Sequence, residues 1–365
     1  MQIALRFVTL KMNKFFKDEN LIDVETEALP AAGALEEIIR NSRADTAAVQ
    51  VDLGMAWEWE YDAGFIDKIE NACRRHALSI CLVVPTNVAE VTAKYFKGKL
   101  AFRYFLDRGS DARREFEPLA RMVDGGNTRI INHYRHLKRC LDKATMHLEF
   151  ITAGLNVPYT IILSPYQNEP EIKIADLARL GRSFIIKPAV GGGGTGVVVG
   201  AETLAEVLVA RQSQYDQKFL LQEKIEPVRQ GGERAWFRVY YVFGQTFLSW
   251  WNDVTHVYRL VEPKEENEFY LSPLRAIVTK IARISRLDFF SAEIALTADG
   301  RFVVIDYVND ICDMRLQSLY PDGVPDRLVD EIVAGIVNCI VAKPFYQFLG
   351  VKSSTTNLAA AARFL

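Results

Sequence analysis

Phe184-Ile-Ile-Lys-Pro-Ala-Val-Gly-Gly-Gly-Gly-Thr-Gly-Val197 is the stretch on which the reading of this chain turns. An apolar run ends in Lys187, a glycine-rich loop follows, and a second apolar run begins at Val197, so the glycines join two strands. A P-loop needs a strand, a glycine turn, GK[ST] and a helix; neither of the last two follows here, and a dinucleotide-binding GxGxxG is disfavoured because a strand and not a helix comes next. Successive glycines let main-chain N–H groups approach an anion closely. The loop therefore reads as a mobile cover over phosphates, with the Lys187 ammonium, at the end of an apolar strand, facing something anionic. The plain alternative is a flexible hairpin with a snorkelling lysine.

A second signal is independent of the first. Asp299-Gly300 between FFSAEIAL and RFVVIDYV predicts a two-residue hairpin turn. With Ala298 paired to Arg301, Glu293 falls directly opposite Asp306 on one face of a mostly apolar ribbon. Two carboxylates about 5 Å apart in such a place repel unless a cation lies between them. Hard oxygen ligands favour Mg²⁺ or Mn²⁺, normally shared with substrate phosphates. Asn309 and Asp310 follow and are candidates to complete the shell. The competing reading makes one acid a structural partner of Arg238 or Arg315.

Working outward, the first third alternates short apolar runs (46–53, 78–84, 100–106) with a helical pattern at 65–76, which predicts a parallel sheet with helices on its faces. The opening MQIALRFVTLKMNKFF reads as a first buried strand and not as a signal peptide. A boundary is expected near Asp124, before the GG turn. A long helical pattern through the 130s and 140s stops at Ala153-Gly154, with Pro158 beyond it. Strands are expected at 159–163, 183–187, 197–199, 219–221, 236–243, 247–251, 289–296 and 301–308, with helices at 174–180, 204–210 and 326–341. The fold class is thus α+β, with an α/β N-terminal part. In domain terms this means residues 1–124, then 125–345 containing a flap subdomain at about 157–222, then a tail at 346–365. A net charge of −2 gives no basic face for nucleic acid, and the longest apolar stretch near the end is too short for a bilayer. Five cysteines without CxxC spacing point to reduced thiols and a cytoplasmic protein, with neither a disulfide frame nor structural zinc.

These pieces, in this order, resemble the ATP-grasp superfamily over roughly residues 128–342. Asp142-Lys143 followed by TAGLNVPYT looks like the family's DK helix and its ending; FIIKPAVGGGGTGV resembles its second lysine and phosphate flap; FLLQEKIEP resembles the hinge strand that reads adenine; WFRVYYVFGQ is similar to its arginine strand. The N-terminal part matches the preATP-grasp domain loosely, by strand order. The resemblance implies that ATP lies between two α+β subdomains, its phosphates held by Lys143, Lys187 and the flap residues Gly192, Gly193, Gly194, Thr195 and Gly196. It implies an adenine contact along Gln222, Glu223, Lys224 and Ile225, with Glu223 the partner of the exocyclic amine, and Mg²⁺ on Glu293, Asp306 and Asn309. Arg238 would stand near the transferred phosphoryl group.

Two departures from the family pattern stand out. The last acid and its Asn usually lie two apart on one strand face, whereas Asp306-Tyr-Val-Asn309 has one more residue between them, which requires a bulge, Asp310 or water to fill the place. Trp236 occupies a position where relatives often carry an acid, leaving Glu233 as the substitute ribose contact. For the second substrate, SWWNDVTHVYRLVEP makes Trp251, His256, Tyr258 and Arg259 candidates, although aromatics at strand spacing are more often core. Arg315 is a candidate for bidentate binding of a carboxylate or phosphate, and Ser318 for an added donor. His147 reads as helix packing or support, and Cys312 as a small buried thiol. The reaction implied is phosphorylation of a small-molecule carboxylate and its joining to an amine or thiol, with no nucleic-acid or membrane partner. A kinase on the same scaffold and a non-catalytic ATP-binding module are the alternatives, and a homodimer is left open.

Overall fold

The computed structural model describes residues 48–111, 113–172 and 177–342. The expected opening strand, most of the first predicted strand's start, the beginning of the 174–180 helix and the tail lie outside these residues. The first layer is a four-stranded parallel sheet in the order β2-β1-β3-β4, made by β1 (Val49–Trp57), β2 (Ile80–Val83), β3 (Leu100–Arg108) and β4 (Arg129–Ile131). Helices α1 (Ala63–Arg75), α2 (Val88–Phe96) and α3 (Glu117–Asp124) accompany it. On α1 the inward residues Phe65, Ile66, Ile69, Ala72 and Cys73 follow helical spacing and are buried. Beyond the boundary expected near Asp124, β4 pairs in parallel with β3.

The long helix read from periodicity is two helices, α4 (Tyr134–Cys140) and α5 (Lys143–Thr152). The break is chemical: the Asp142 carboxylate accepts the N–H groups of Ala144 and Thr145, capping a new helix whose first residue is Lys143. Gly154 (φ +71°) ends the segment as expected.

Two antiparallel sheets follow. The smaller has the order β5-β8-β6-β7, from β5 (Thr160–Leu163), β6 (Phe184–Pro188), β7 (Val198–Ala201) and, after α6 (Leu204–Ser213), β8 (Phe219–Glu223). After the short β9 (Arg229–Gln230) and β10 (Glu233–Arg234), the larger sheet has the order β13-β12-β11-β14-β15. It comprises β11 (Trp236–Val242), β12 (Gln245–Trp251), β13 (Tyr258–Leu260), β14 (Phe289–Leu296) and β15 (Phe302–Asn309). Between β13 and β14 lie α7 (Pro263–Glu268) and α8 (Ser272–Ser285), whose buried Leu274, Val278 and Ile281 back the sheet.

The last helix, α9 (Asp326–Ala342), returns to α1, and its Leu328, Val329, Ile332 and Ile336 share one core with Phe65, Ile69, Tyr240 and Tyr258. Arg108 and Asp62, both 1% exposed, form a bidentate pair at 2.7 and 2.8 Å, and Arg108 also donates to the Cys312 carbonyl at 3.0 Å. That pair ties the parallel layer to the segment after β15; removing either partner would strand a buried charge at a cost of about 3–5 kcal/mol. Among the described residues no helix is long and apolar enough to cross a membrane.

Candidate active site

The hairpin of β14 and β15 brings the predicted acids together by an unexpected route. Its loop holds three residues, not two: Thr297 N–H donates to the Arg301 carbonyl at 3.0 Å, and Gly300 at φ +78° takes the left-handed position of a three-residue turn. This sets Leu296 opposite Phe302 and Ile294 opposite Val304, one residue away from the register expected. An irregularity before Glu293 restores the Glu293–Asp306 pairing, and a second sets Ser291 opposite Asn309. Ser291 and Glu293, two apart, share a strand face, so their partners Asp306 and Asn309 share it too. The extra residue in Asp306-Tyr-Val-Asn309 is absorbed there.

The same face carries Arg238 and Trp236 of β11, paired across to Glu293 and Ala295. Arg238 donates a short ion-paired bond to Glu293 Oε1, and Trp236 Nε1–H donates to Oε2 at 3.3 Å. Burial and the facing Asp306 push the Glu293 carboxyl up, while Arg238 opposes them. Burial works against the Arg238 charge, but Glu293 holds its pKa above the ordinary arginine value. The expected metal acid and the expected phosphate arginine are thus one buried pair.

Lys187 is 7% exposed at the end of β6. Its Nζ donates to the Ile305 carbonyl at 3.2 Å and sits 5.2 Å from the Tyr307 ring centre. Burial lowers its pKa to about 8, opposed by Asp306 and assisted by Lys143. Lys143 donates to the Gly191 carbonyl at the foot of the glycine loop, and its own N–H bonds Ala189 O at 2.8 Å. The two lysines and the acid face of β15 therefore converge under the loop that runs through Gly192, Gly193, Gly194, Thr195 and Gly196.

A group not singled out from the sequence supports this cleft. Tyr307 Oη meets His147 Nδ1 at 2.5 Å and accepts from Gln222 Nε2 at 2.8 Å, while the same Nε2 donates to Thr160 Oγ1 at 2.9 Å. Burial and then Lys187 lower the His147 pKa to about 4, so the ring is neutral. One hydroxyl thereby joins α5, β8 and β15. Only the combination of a buried His, Tyr and Gln could have signalled it, and their sequence separation conceals it.

Other expectations move. The Gln222 side chain turns inward to this network. Glu223 Oε1 accepts the Tyr159 N–H at 2.8 Å, and the chain leaves the sheet after it, so Lys224 and Ile225 present their main chain beyond the last ladder bond. The Lys224 side chain pairs with Glu226 at 2.7 Å. Asp310 points away from the acids: it accepts from Asn132 Nδ2, and burial raises its pKa to about 7. Arg315 is engaged by Asp313 at 2.9 Å and Asp322 at 3.0 Å, which leaves its fork committed to protein carboxylates. Ser318 bonds Asp326 through both Oγ and N–H at the start of α9. Arg259 pairs with Trp250 across β12–β13, hence lies on the sheet face opposite Arg238, where Glu265 (2.8 Å) and Glu233 (3.6 Å) hold it. That engagement also directs Glu233 to Arg259. Trp251 and His256 do border the site: the Arg238 guanidinium carbon lies 4.8 Å from the Trp251 ring centre, and His256 stacks on Trp251 at 5.4 Å and 4°. Cys312 is fully buried with its thiol pushed up to about 12, and all five cysteines are free.

Whether these residues suit a divalent cation is testable on the donors present. Among the described residues no three His, Cys, Asp or Glu side chains converge to hold a metal ion unaided. Glu293 and Asp306 with the Asn309 amide, whose Nδ2 is buried and has no partner, make a partial oxygen set. Such a set fits a cation whose remaining ligands come from phosphate and water.

Two α+β layers closing on a lysine-and-carboxylate cleft beneath a glycine hairpin define the ATP-grasp fold, and this chain has that fold. No protein-family model and no curated protein sequence matches it. Solved structures do. A RimK-domain ATP-grasp protein from Sphaerobacter thermophilus is similar with 20% identity over 79% of this chain and 99% of that one, at a TM-score of 0.56. The D-alanine–D-alanine ligase from Bacillus anthracis, complexed with ATP, gives 12% identity, 83% and 99% coverage and 0.57. The macrocyclase MdnC from Microcystis aeruginosa MRC, bound with precursor peptide MdnA, gives 11%, 79% and 99%, and 0.53. The resemblance read from the motifs holds for the fold.

Proposed function

We propose that the protein is an ATP- and Mg²⁺-dependent ligase that phosphorylates a substrate carboxylate and joins it to an amine, releasing ADP and phosphate. The observation that carries this reading is the convergence of Lys143, Lys187, Arg238 and the Glu293–Asp306–Asn309 face under one glycine hairpin. Several of its structural neighbours are ligases by name, which supports the same class.

Phosphoryl transfer asks a protein mainly for positioning and charge neutralisation. Lys143 and Lys187 would hold the phosphates from opposite sides of the cleft, and the flap N–H groups would close over them. Glu293, Asp306 and Asn309 would hold Mg²⁺, which would supply charge neutralisation to the bound phosphates. Arg238, already buried and charged, faces the place where charge builds on the transferred group. The carboxylate oxygen takes the γ-phosphoryl group as ADP leaves. The amine then adds to the acyl carbon, loses its proton, and expels phosphate. Trp251, Tyr258 and His256 wall the acceptor side; such an aromatic wall does not favour a multiply phosphorylated polyol, which counts against the kinase reading. The neighbours' named substrates include an amino acid and precursor peptides, so the acceptor is sought among both. Five free cysteines suit the reducing cytoplasm.

The test is ADP release measured with pooled amino acids, with carboxylate–amine pairs including peptides, with polyol phosphates, and with none. ADP formed only with a carboxylate–amine pair is expected. Nucleotide binding without turnover under every condition would favour a non-catalytic module instead.

A further inference from the structure

The outward face of α5 departs from what a surface helix normally shows. Its inner side buries Ala144, Met146, His147 and Phe150, and the opposite side should carry charge. Instead Leu148 is 57% and Ile151 52% exposed, and Leu141, two residues before the helix, is 44% exposed. Leu148 lines an open groove of about 410 Å³ together with Arg139, Glu149, Thr152, Arg283, Ile284 and Arg286, and Ile151 follows it three residues on along the same helix.

The rim is cationic on a chain whose net charge is −2. Arg283 and Arg286 are exposed and, like the nearby Arg135, make no ion pair among the described residues; Arg139 alone is engaged, by Glu149 at 2.9 Å and by the Ile284 carbonyl. Their crowding is felt locally: burial first, then Arg135, His133, Arg286 and Arg139, hold the His136 ring below its ordinary pKa. Water solvates the guanidiniums themselves, but arginines without protein carboxylates beside exposed aliphatic side chains make a mixed cationic and apolar surface that a partner of complementary pattern fits.

We infer that this groove is a docking surface for an acidic, amphipathic peptide, laid along α5 with its aliphatic side chains on Leu148 and Ile151 and its carboxylates on Arg283 and Arg286. The groove selects this occupant over others. Single-stranded nucleic acid would want aromatic platforms among the arginines, and none of the lining residues here is aromatic. The chain's own segment 343–365 carries Lys343, Lys352 and Arg363 and no Asp or Glu, so its charge is wrong. A helix-in-groove mode matches the spacing of the stripe. The groove is separate from the nucleotide cleft, so the inference stands whatever that cleft does.

The probe is a fluorescein-labelled peptide of about sixteen residues with Leu at helical i, i+3, i+7 spacing and Glu elsewhere, followed by anisotropy at ~50 mM salt. The expected result is saturable binding in the micromolar range, weakened at least tenfold in Arg283→Glu/Arg286→Glu and at least fivefold in Leu148→Asp. Melting temperature and nucleotide affinity should stay unchanged in both variants, which controls for misfolding. A control peptide with every Leu replaced by Ser should bind at least fivefold more weakly. Absence of binding by the wild-type chain, or affinity unmoved by the arginine changes, would overturn the inference. So would equal binding of the Ser peptide or of a single-stranded oligonucleotide, because the surface would then be a general polyanion patch.

Discussion

From Gly191 to Gly194 an added Cβ would meet nothing within 4 Å, whereas Glu293 is 8% exposed and clamped at both oxygens by Arg238 and Trp236. The loop and the β14–β15 ribbon form opposite walls of one candidate site, built on opposite principles. Glu293 on the ribbon is already desolvated and paired, so its geometry is set before any ligand arrives. The loop is tied at its foot by Lys143, and under the proposed function a bound phosphate would supply further partners. The difference teaches where binding energy goes: it orders the loop, while the acids wait in place.

The contrast breaks most sharply at Asp306. Asp306→Asn keeps the shape of the ribbon but removes half of its oxygen charge, and ADP release should fall by about 10³-fold or more, read in a coupled assay with the melting curve unchanged. A variant that turns over normally would remove the metal assignment. Next comes Lys187→Met. Since burial already lowers the lysine's pKa to about 8, the protein carries an expensive cation there. Calorimetric titration should show nucleotide affinity falling by roughly 100-fold, while thermal stability holds or rises. A stability loss with intact affinity would show a structural lysine instead.

The loop side should respond more gently. Gly193 sits at φ +61° in open space, so Gly193→Ala costs about 1 kcal/mol only when the hairpin closes in this conformation. KM for ATP should rise about fivefold with no change in melting temperature; an unaltered KM would mean the loop closes in another shape. The smallest effect is expected at His147. Its folded pKa of about 4 lies below the ordinary 6.5, so the unfolded chain binds the extra proton first as pH falls. The stability this neutral ring contributes is complete above pH 6.5 and is lost as pH drops toward 4. In His147→Gln, unfolding free energy measured across that window should fall less steeply than in the parent; equal slopes would remove the ring from the acid response.

Legibility divided along similar lines. Local chemistry was readable: the glycine hairpin, its flanking strands, the DK helix and the pairing of Glu293 with Asp306 all follow from short patterns. The route to that pairing was not, because a three-residue turn and a bulge offset one another, and turn length shifts register without changing which residues are apolar. Periodicity also ran straight through Asp142, since a capped restart preserves the helical spacing on both sides. Two acceptor-side arginines are a different case. Arg259 and Arg315 look available in a string of letters, but alternation places the first on the back of its sheet, and Asp313 and Asp322 satisfy the second. Partners brought by folding decide whether a charge is free.

The bulged strand has a consequence for how such proteins are found. Asp306 and Asn309 reach one face although a residue has been slipped between them, so the shape keeps a spacing that the text has lost. A comparison by columns meets an insertion at the most informative place in the chain, while a superposition of backbones passes over it. A likeness of this kind lies in a constellation of atoms and not in a spelling.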